Sequence, residues 1–282
     1  LPYPVKAKHY DCLDFTSKAF KKVYADSYLA LINRAPELWG YLYSLAEGKP
    51  YRKRGLLRLF DDFNYRRYLK FLRAEQPDAI IATHFLPVIS VSNKLRKAGV
   101  HAPVFAVTTD FDAHQYWVDP IIERYYVHHE ESAWQLQSKG VPEEKISVHG
   151  IPLMQEFRSI HPRDVVRSQL GIENTRLTLL IISGGFGTGR LEEIVHQTAA
   201  TLGQQEGKEF TLLVVCGKNE RLKKSLTRYG FPRNVDARVF GFVDNIHDLM
   251  NASDLLISKS GGLTSAEAMA KQLPMIIVDP IP

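Results

Sequence analysis

Ser183-Gly184-Gly185-Phe186-Gly187-Thr188-Gly189 follows directly on the apolar run Leu177-Thr178-Leu179-Leu180-Ile181-Ile182. Such a run predicts a buried strand, and Leu191, Ile194, Val195 and Thr198 predict a helix immediately after it. Strand, glycine loop and helix together present free backbone N–H groups to a phosphate, and the helix N-terminus adds about half a positive charge. Glycines carry no Cβ, so an anion can approach the backbone closely. A tight turn with no ligand is the other reading. No Gly-Lys-Ser/Thr follows, so this is not the loop of nucleotide triphosphatases. The spacing from Gly185 is G-x-G-x-G with no acidic strand-end residue about 20 positions on, unlike the dinucleotide fingerprint. ATP hydrolysis and NAD chemistry are both disfavoured.

In open α/β sheets, ligands sit beyond the carboxyl ends of the strands. After the predicted strand 79–82 come Thr83 and His84, and after 104–107 come Thr108, Thr109, Asp110, Phe111, Asp112 and His114. After 211–215 come Cys216, Gly217, Lys218 and Asn219, and after 238–240 come Gly241, Phe242 and Val243. After 254–257 come Ser258, Lys259, Ser260, Gly261, Gly262, Leu263 and Thr264, with Glu267 one turn into the next helix. Two glycine-bearing helix starts in one half of the chain suit a diphosphate. A carboxylate at Glu267 suits the two hydroxyls of a ribose, or else it serves the helix dipole as an early acid. His84 is either a general base or a histidine satisfied by its surroundings. Asp110 would orient a catalytic histidine or an acceptor. Asp110-Phe111-Asp112 has a metal-binding spacing, but it lies apart from the glycine loops, and no metal is expected. His128-His129 lacks a second ligand cluster at useful spacing and is read as structural.

These residues need a scaffold. Apolar strands are predicted at 79–82, 104–107, 124–127, 146–148, 177–182, 211–215, 238–240, 254–257 and 275–278. They alternate with helices at 87–98, 130–139, 164–170, 190–204, 219–229, 245–251 and 263–271. Earlier, 17–46 reads as helix interrupted near Pro36, 48–55 as a basic loop and 56–74 as helix. Parallel sheets covered on both faces are implied. Residues 150–163 break the rhythm and read as a linker. The expected fold class is α/β, with two Rossmann-like doubly wound domains, 1–155 and 156–282, facing a cleft.

A length of 282 residues suits two domains, and 45% hydrophobic with 24% charged residues is ordinary for a globular protein. No run of about 18 apolar residues exists. The two cysteines, Cys12 and Cys216, give no disulfide framework and fit a reducing cytosol. Charge is uneven: residues 1–100 carry 18 Lys+Arg against 9 Asp+Glu, whereas the remainder carries 18 against 22. The basic part is also aromatic, with Trp39, Tyr41, Tyr43, Tyr51, Phe60, Phe63, Tyr65, Tyr68 and Phe71. Such a mixture suits an anionic membrane surface, or equally a solvated helix face over an aromatic core. No nucleic-acid-reading motif accompanies it, and nucleic acid is not an expected partner.

Taken in order, the motifs resemble one family. Gly-Gly-Phe-Gly-Thr-Gly (184–189), Cys-Gly-Lys-Asn (216–219), Gly-Phe-Val (241–243) and Ser-Lys-Ser-Gly-Gly-Leu-Thr-Ser-Ala-Glu-Ala (258–268) are similar to the donor-domain motifs of monogalactosyldiacylglycerol synthases and processive diacylglycerol glucosyltransferases. Ala-Pro-Glu-Leu-Trp-Gly-Tyr-Leu-Tyr (35–43), Thr-His (83–84), Thr-Thr-Asp-Phe-Asp-Ala-His-Gln-Tyr-Trp (108–117) and His-Gly-Ile-Pro (149–152) extend the resemblance over the first half. It implies the GT-B fold and inverting transfer of glucose or galactose from a UDP-sugar to diacylglycerol, without a cofactor or metal, by a cytoplasmic protein held peripherally at a membrane. By position, Gly184, Gly185, Phe186, Gly187, Thr188 and Gly189 would face the phosphates and sugar. Gly217, Lys218, Phe242 and Val243 would line the uracil pocket. Lys259, Gly261, Gly262, Leu263 and Thr264 would hold the diphosphate, and Glu267 the ribose. His84, Asp110, His114 and Trp117 would serve the acceptor side, the first three as catalytic residues. Relatives place a histidine general base ahead of the position of Leu1 and a Gly-Gln-Glu sugar-contact segment after that of Pro282, so the chain is expected to be a piece of a longer protein. A peptidoglycan-type N-acetylglucosaminyltransferase, a UDP-sugar 2-epimerase and a non-catalytic UDP-binding module are the alternatives.

Overall fold

The structure, a computed structural model, describes residues 4–18, 20–22, 65–159, 161–182 and 190–278. The glycine loop 183–189, the helix break at Pro36, the basic loop 48–55 and the aromatic residues from Trp39 to Phe63 lie outside the described residues. The chain divides into two compact units, Leu1–Ile151 and Pro152–Pro282.

The first unit is built on four parallel strands, β1 (Ile80–Ala82), β2 (Val104–Val107), β3 (Ile122–Val127) and β4 (Ile146–Val148), hydrogen-bonded in that order. Parallel neighbours require crossovers, and α2 (Leu86–Leu95) and α3 (Glu130–Ser138) lie in two of them; α1 (Arg66–Glu75) precedes β1. Ala82, Val104, Ala106, Ile122, Tyr125 and Val127 are buried in one core with Tyr68 and Leu72 of α1, Val91 and Leu95 of α2, and Leu136 of α3. β3 begins two residues before its predicted start. The register shifts between Val104 and Phe105, so that Val104 pairs with Ile122 but Phe105 pairs with Arg124. This bulge breaks the apolar alternation that sequence reading relies on. Coverage of both faces was expected; among the described residues the opposite face, with Ile81 67% exposed, is only partly covered.

In the second unit all five strands are parallel, β5 (Leu177–Ile182), β6 (Phe210–Val215), β7 (Val235–Phe240), β8 (Leu255–Ser258) and β9 (Met275–Ile277), in the order β7-β6-β5-β8-β9. The helices are α4 (Gln155–Arg158), α5 (Arg163–Leu170), α6 (Leu191–Gly203), α7 (Glu220–Thr227), α8 (Ile246–Ala252) and α9 (Gly262–Ala270). Successive strand residues point to opposite faces. Accordingly Leu179, Ile181, Leu212 and Val214 join a core with α6 and α7, while Leu180, Ile182, Leu213 and Val215 join another with α5, α8 and α9. β7 starts three residues earlier than predicted because charged Asp236 interrupts its apolar run; the Arg238 guanidinium donates to Gly171 O at 2.7 Å and to Asp236 Oδ2 at 2.8 Å.

The segment 150–163 is not a bare linker. It contains α4, and Phe157 is 1% exposed within the second core. Lys271 Nζ donates to Glu156 O at 2.9 Å and Ser159 O at 2.7 Å, tying α4 to the end of α9. One buried aromatic among polar residues gives too weak a period to be read from sequence. At the edge where β5 and β8 begin, buried Arg167 donates to Ala252 O at 2.8 Å and Asp254 Oδ2 at 2.7 Å, and Asp254 also accepts from Thr178 N at 2.8 Å. This network fixes the two central strands together.

Candidate functional site

The strand order of the second unit reverses between β5 and β8. Chain connections leave these two strands in opposite directions, which opens a crevice at their carboxyl ends, the ligand position of doubly wound sheets. β5 leads into the glycine loop and then α6, and β8 leads into Lys259–Thr264 and α9. The loop residues Gly184, Gly185, Phe186, Gly187, Thr188 and Gly189 lie outside the described residues, but the elements that carry them, β5 and α6, are in place. Gly261 is the N-cap of α9 with extended backbone; among the described residues no side chain caps this end, and the first turn holds no acid. The N–H groups opening α9 are thus left for a ligand. Lys259 and Thr264 are half-buried, Gly262 is buried and Leu263 is half exposed.

Glu267 stands on the second turn of α9. Burial pushes its carboxyl from 4.5 up to about 7. None of its neighbours among the described residues gives it a hydrogen bond or an ion pair. A desolvated carboxylate without a partner is what a pair of ligand hydroxyls would satisfy. At the ends of β6 and β7, Gly217 is buried with φ +58° and turns the chain into α7, where Asn219 accepts from Leu222 N at 3.0 Å. Lys218 Nζ lies 5.9 Å from the Phe242 ring centroid, and Phe242 is 61% exposed. A flat exposed ring beside a cation offers a stacking surface for a base. Val243 packs partly into the core instead.

In the first unit, His84 follows β1 and Asp110 follows β2, and each feels the other's charge. Both reach solvent. Burial holds the His84 imidazole below its ordinary value, opposed by Asp110. Burial also pushes the Asp110 carboxyl up, opposed by His84 and His128 and reinforced by Asp112. His128, read from sequence as structural, therefore belongs to this cluster; its ring stands perpendicular to that of Phe111 with centroids 4.6 Å apart. Its position directly after β3 was the available signal. The loop carrying Asp110 is held by α3: Ser132 Oγ donates to Phe111 O at 2.7 Å, Ala113 N donates to Gln135 Oε1 at 2.7 Å, and Gln135 Nε2 donates to Asp112 Oδ1 at 3.0 Å. His114 is 3% exposed, its Nδ1 accepting from Tyr116 N at 3.2 Å, and Trp117 is 2% exposed. Both contribute mainly to the interior. Among the described residues no cluster of three or more His, Cys, Asp or Glu side chains could hold a metal ion.

Comparison with known proteins agrees with this architecture. The family model described as monogalactosyldiacylglycerol (MGDG) synthase matches residues 4–153, and the glycosyltransferase family 28 C-terminal domain matches 178–280. A processive diacylglycerol beta-glucosyltransferase of Bacillus cereus (strain AH187) is 32% identical over 257 residues, covering 90% of this chain and 63% of that protein. Its counterpart in Bacillus cereus (strain G9842) is 31% identical, covering 95% of this chain and 66% of the relative. The chain thus spans about two thirds or less of the length of these relatives. Among solved structures, MurG of Acinetobacter baumannii matches with a TM-score of 0.52 at 15% identity, covering 79% of this chain and 58% of that one. The UDP-GlcNAc 2-epimerase of Neisseria meningitidis, solved with UDP-GlcNAc, matches with a TM-score of 0.53 at 15% identity, covering 74% and 62%. These two likenesses show a shared fold.

Proposed function

The chain belongs to the monogalactosyldiacylglycerol synthase family and carries a family 28 C-terminal domain, and from that membership we propose that the whole protein moves a hexose, glucose or galactose, from a UDP-sugar to diacylglycerol, inverting the anomeric centre. The observation that carries this reading is the reversal point between β5 and β8, where β8 leads into a helix start that no side chain among the described residues caps, with Glu267, without a side-chain partner among the described residues, one turn further on. The diphosphate would lie on the N–H groups of α9 and of the 184–189 loop, with Lys259 supplying positive charge. Glu267 would accept both ribose hydroxyls, and the uracil would stack near Phe242 and Lys218. In the reaction a general base takes the proton of the acceptor hydroxyl as its oxygen attacks the anomeric carbon and the bond to the diphosphate breaks. Helix-end N–H groups and lysine stabilise the charge that builds on the leaving group, so this arrangement calls for no metal cofactor.

The acceptor would sit in the first unit, near the ends of β1 and β2. The basic, aromatic first third would hold the protein on an anionic leaflet. No helix among the described residues is long and apolar enough to cross a membrane. Calorimetric titration of this chain with UDP tests the donor site. Incubation of the whole protein with UDP-glucose or UDP-galactose and diacylglycerol tests the reaction: glycolipid formation supports the reading. Conversion of a UDP-sugar without any lipid product would replace it with an epimerase. UDP binding without turnover would leave a binding module. Salt-sensitive binding to anionic vesicles supports the membrane role, and equal binding to neutral vesicles refutes it.

A further inference from the structure

The first described stretch of the chain lies along α1 and runs in the opposite direction. Lys8 pairs with Glu75 at the end of α1, and the Tyr10 and Phe15 rings meet Phe71 with centroids 4.7 and 4.6 Å apart. Phe15 also meets Tyr68 at 5.4 Å, and Phe20 meets Tyr65 at 6.3 Å. These contacts, with Tyr68 and Leu72 buried in the core, use up the apolar surface of α1. What the two elements leave outside is charge of one sign. Their acids among the described residues are all paired, Asp11 and Asp14 with Lys21 and Glu75 with Lys8. Lys6, Lys18, Lys22, Arg67, Lys70 and Arg73 are exposed and have no ion pair among the described residues. At 3.6 residues per turn, Arg67, Lys70 and Arg73 share an arc of about 120° opposite Tyr68 and Leu72.

Soluble surfaces ordinarily intersperse both signs of charge. A face whose few acids are neutralised from within, leaving these cations over, is complementary to an anion, and the spread over two elements calls for an extended one. Beside the cations Val5 is 68% and Tyr10 47% exposed. An aliphatic side chain and a ring with a polar tip suit the headgroup boundary of a membrane. A nucleic acid would want a free ring face for its bases, whereas the Tyr10 ring is already engaged with Phe71 at an interplanar angle of 64°. Resting on the membrane reading above, we infer that this two-element face is the surface that docks on an anionic leaflet. It does so by charge and not by inserting a helix, because the apolar side of α1 is committed to the interior. α1 ends at Glu75 and β1 begins at Ile80, so α1 runs back alongside the strand and its Arg67 end lies toward the carboxyl edge of the sheet. Docking by this face would hold the leaflet beside the edge where the acceptor would sit.

Co-sedimentation of the whole protein with phosphatidylcholine vesicles, with and without phosphatidylglycerol, tests this. Binding should require the anionic lipid. It should be released on raising salt from about 0.1 to 1 M, which shortens the screening length from about 10 to 3 Å. Each cation at the surface is worth roughly fivefold in binding, so Arg67→Gln/Lys70→Gln/Arg73→Gln should bind roughly 100-fold more weakly. Arg221→Gln/Lys224→Gln/Arg228→Gln, which removes as many exposed cations from the second unit, should bind as the wild type does. Equal loss in both triples would mean that net charge alone governs binding, and would overturn the inference. Undiminished binding by the α1 triple, or retention on neutral vesicles at high salt, would overturn it too. Binding to single-stranded RNA without binding to vesicles would reassign the face to nucleic acid. The replaced side chains are exposed and unpaired, so both triples should melt with the wild type; if the α1 triple melts lower, Lys70→Gln alone should still show roughly a fivefold loss. On detergent-dispersed diacylglycerol the α1 triple should form glycolipid at the wild-type rate, and a loss there as large as on vesicles would place the face in the acceptor site instead. If the wild type forms no glycolipid, the transferase reading fails, while the vesicle result still stands or falls by itself.

Discussion

Replacing Glu267 by Gln tests the donor site where its electrostatics are most specific. Its carboxyl is raised from 4.5 to about 7 by burial. Ribose hydroxyls prefer the ionised form, so ligand binding must drive the proton off. UDP-glucose, whose diphosphate does not itself titrate near neutrality, should bind with constant affinity above about pH 8 and lose about tenfold per pH unit below about 7. Glu267→Gln should lack this slope and bind about 10- to 100-fold more weakly at pH 8, the worth of charge-assisted hydrogen bonds of roughly 1.5–3 kcal/mol. Without ligand the sign reverses. Between about 4.5 and 7 the folded state holds more proton than the unfolded state, so the contribution of Glu267 to stability is fully present below 4.5 and is lost as pH rises through 7. The full shift corresponds to about 3 kcal/mol, and partial solvent access reduces that to about 1–2 kcal/mol. The variant should therefore be more stable than the wild type at pH 8 by this amount and equal to it near pH 4.5. Calorimetric titration and urea unfolding at both ends of the range measure the two effects. A pH-independent wild-type affinity, or a variant that binds UDP-glucose as tightly at pH 8, would refute the ribose role. A less stable variant would refute the desolvation argument.

Arg167→Ala removes the donor that joins Ala252 O and Asp254 at the base of β5 and β8; it should cost about 3 kcal/mol in urea unfolding, and a loss below 1 kcal/mol would show the network to be dispensable. Gly203→Ala would ordinarily favour a helix by about 1 kcal/mol, but the new Cβ would lie 2.7 Å from Pro232 Cγ. Overpacking should win, destabilising by about 1–2 kcal/mol, and a higher melting temperature would contradict it. Gln135→Ala strands the buried Ala113 N–H and frees Asp112; glycolipid formation should fall about tenfold with UDP affinity unchanged, and equal loss of both would mean global destabilisation.

What the sequence made legible, and what it hid, follow from the physics of each feature. Strands β5 and β6, apolar but for one buried threonine each, could be placed within a residue because burial on both faces leaves no charged position in them. β3 and β7 are longer than their sequences suggest because a bulge in one and Asp236, paired with Arg238, in the other break that pattern. Phe157 was lost in a polar stretch because one residue has no period. The site behaved in the same way. Residue types at the strand ends were readable, since a parallel sheet delivers every strand's last residues to one edge. His128 reads from sequence as structural although it occupies such an end, and burial together with the charges of His129, Asp112 and Asp110, two of which only the fold brings near, acts on it. Roles were harder still. Whether a histidine donates or accepts is decided by which backbone N–H lies two residues ahead, as Leu86 does for His84. Whether a glutamate is charged at neutrality is decided by what surrounds it, as burial does for Glu267. A motif therefore specifies which atoms reach the ligand, and the local hydrogen bonds and desolvation specify what those atoms can do. The Glu267 experiment is informative because it measures that second quantity directly.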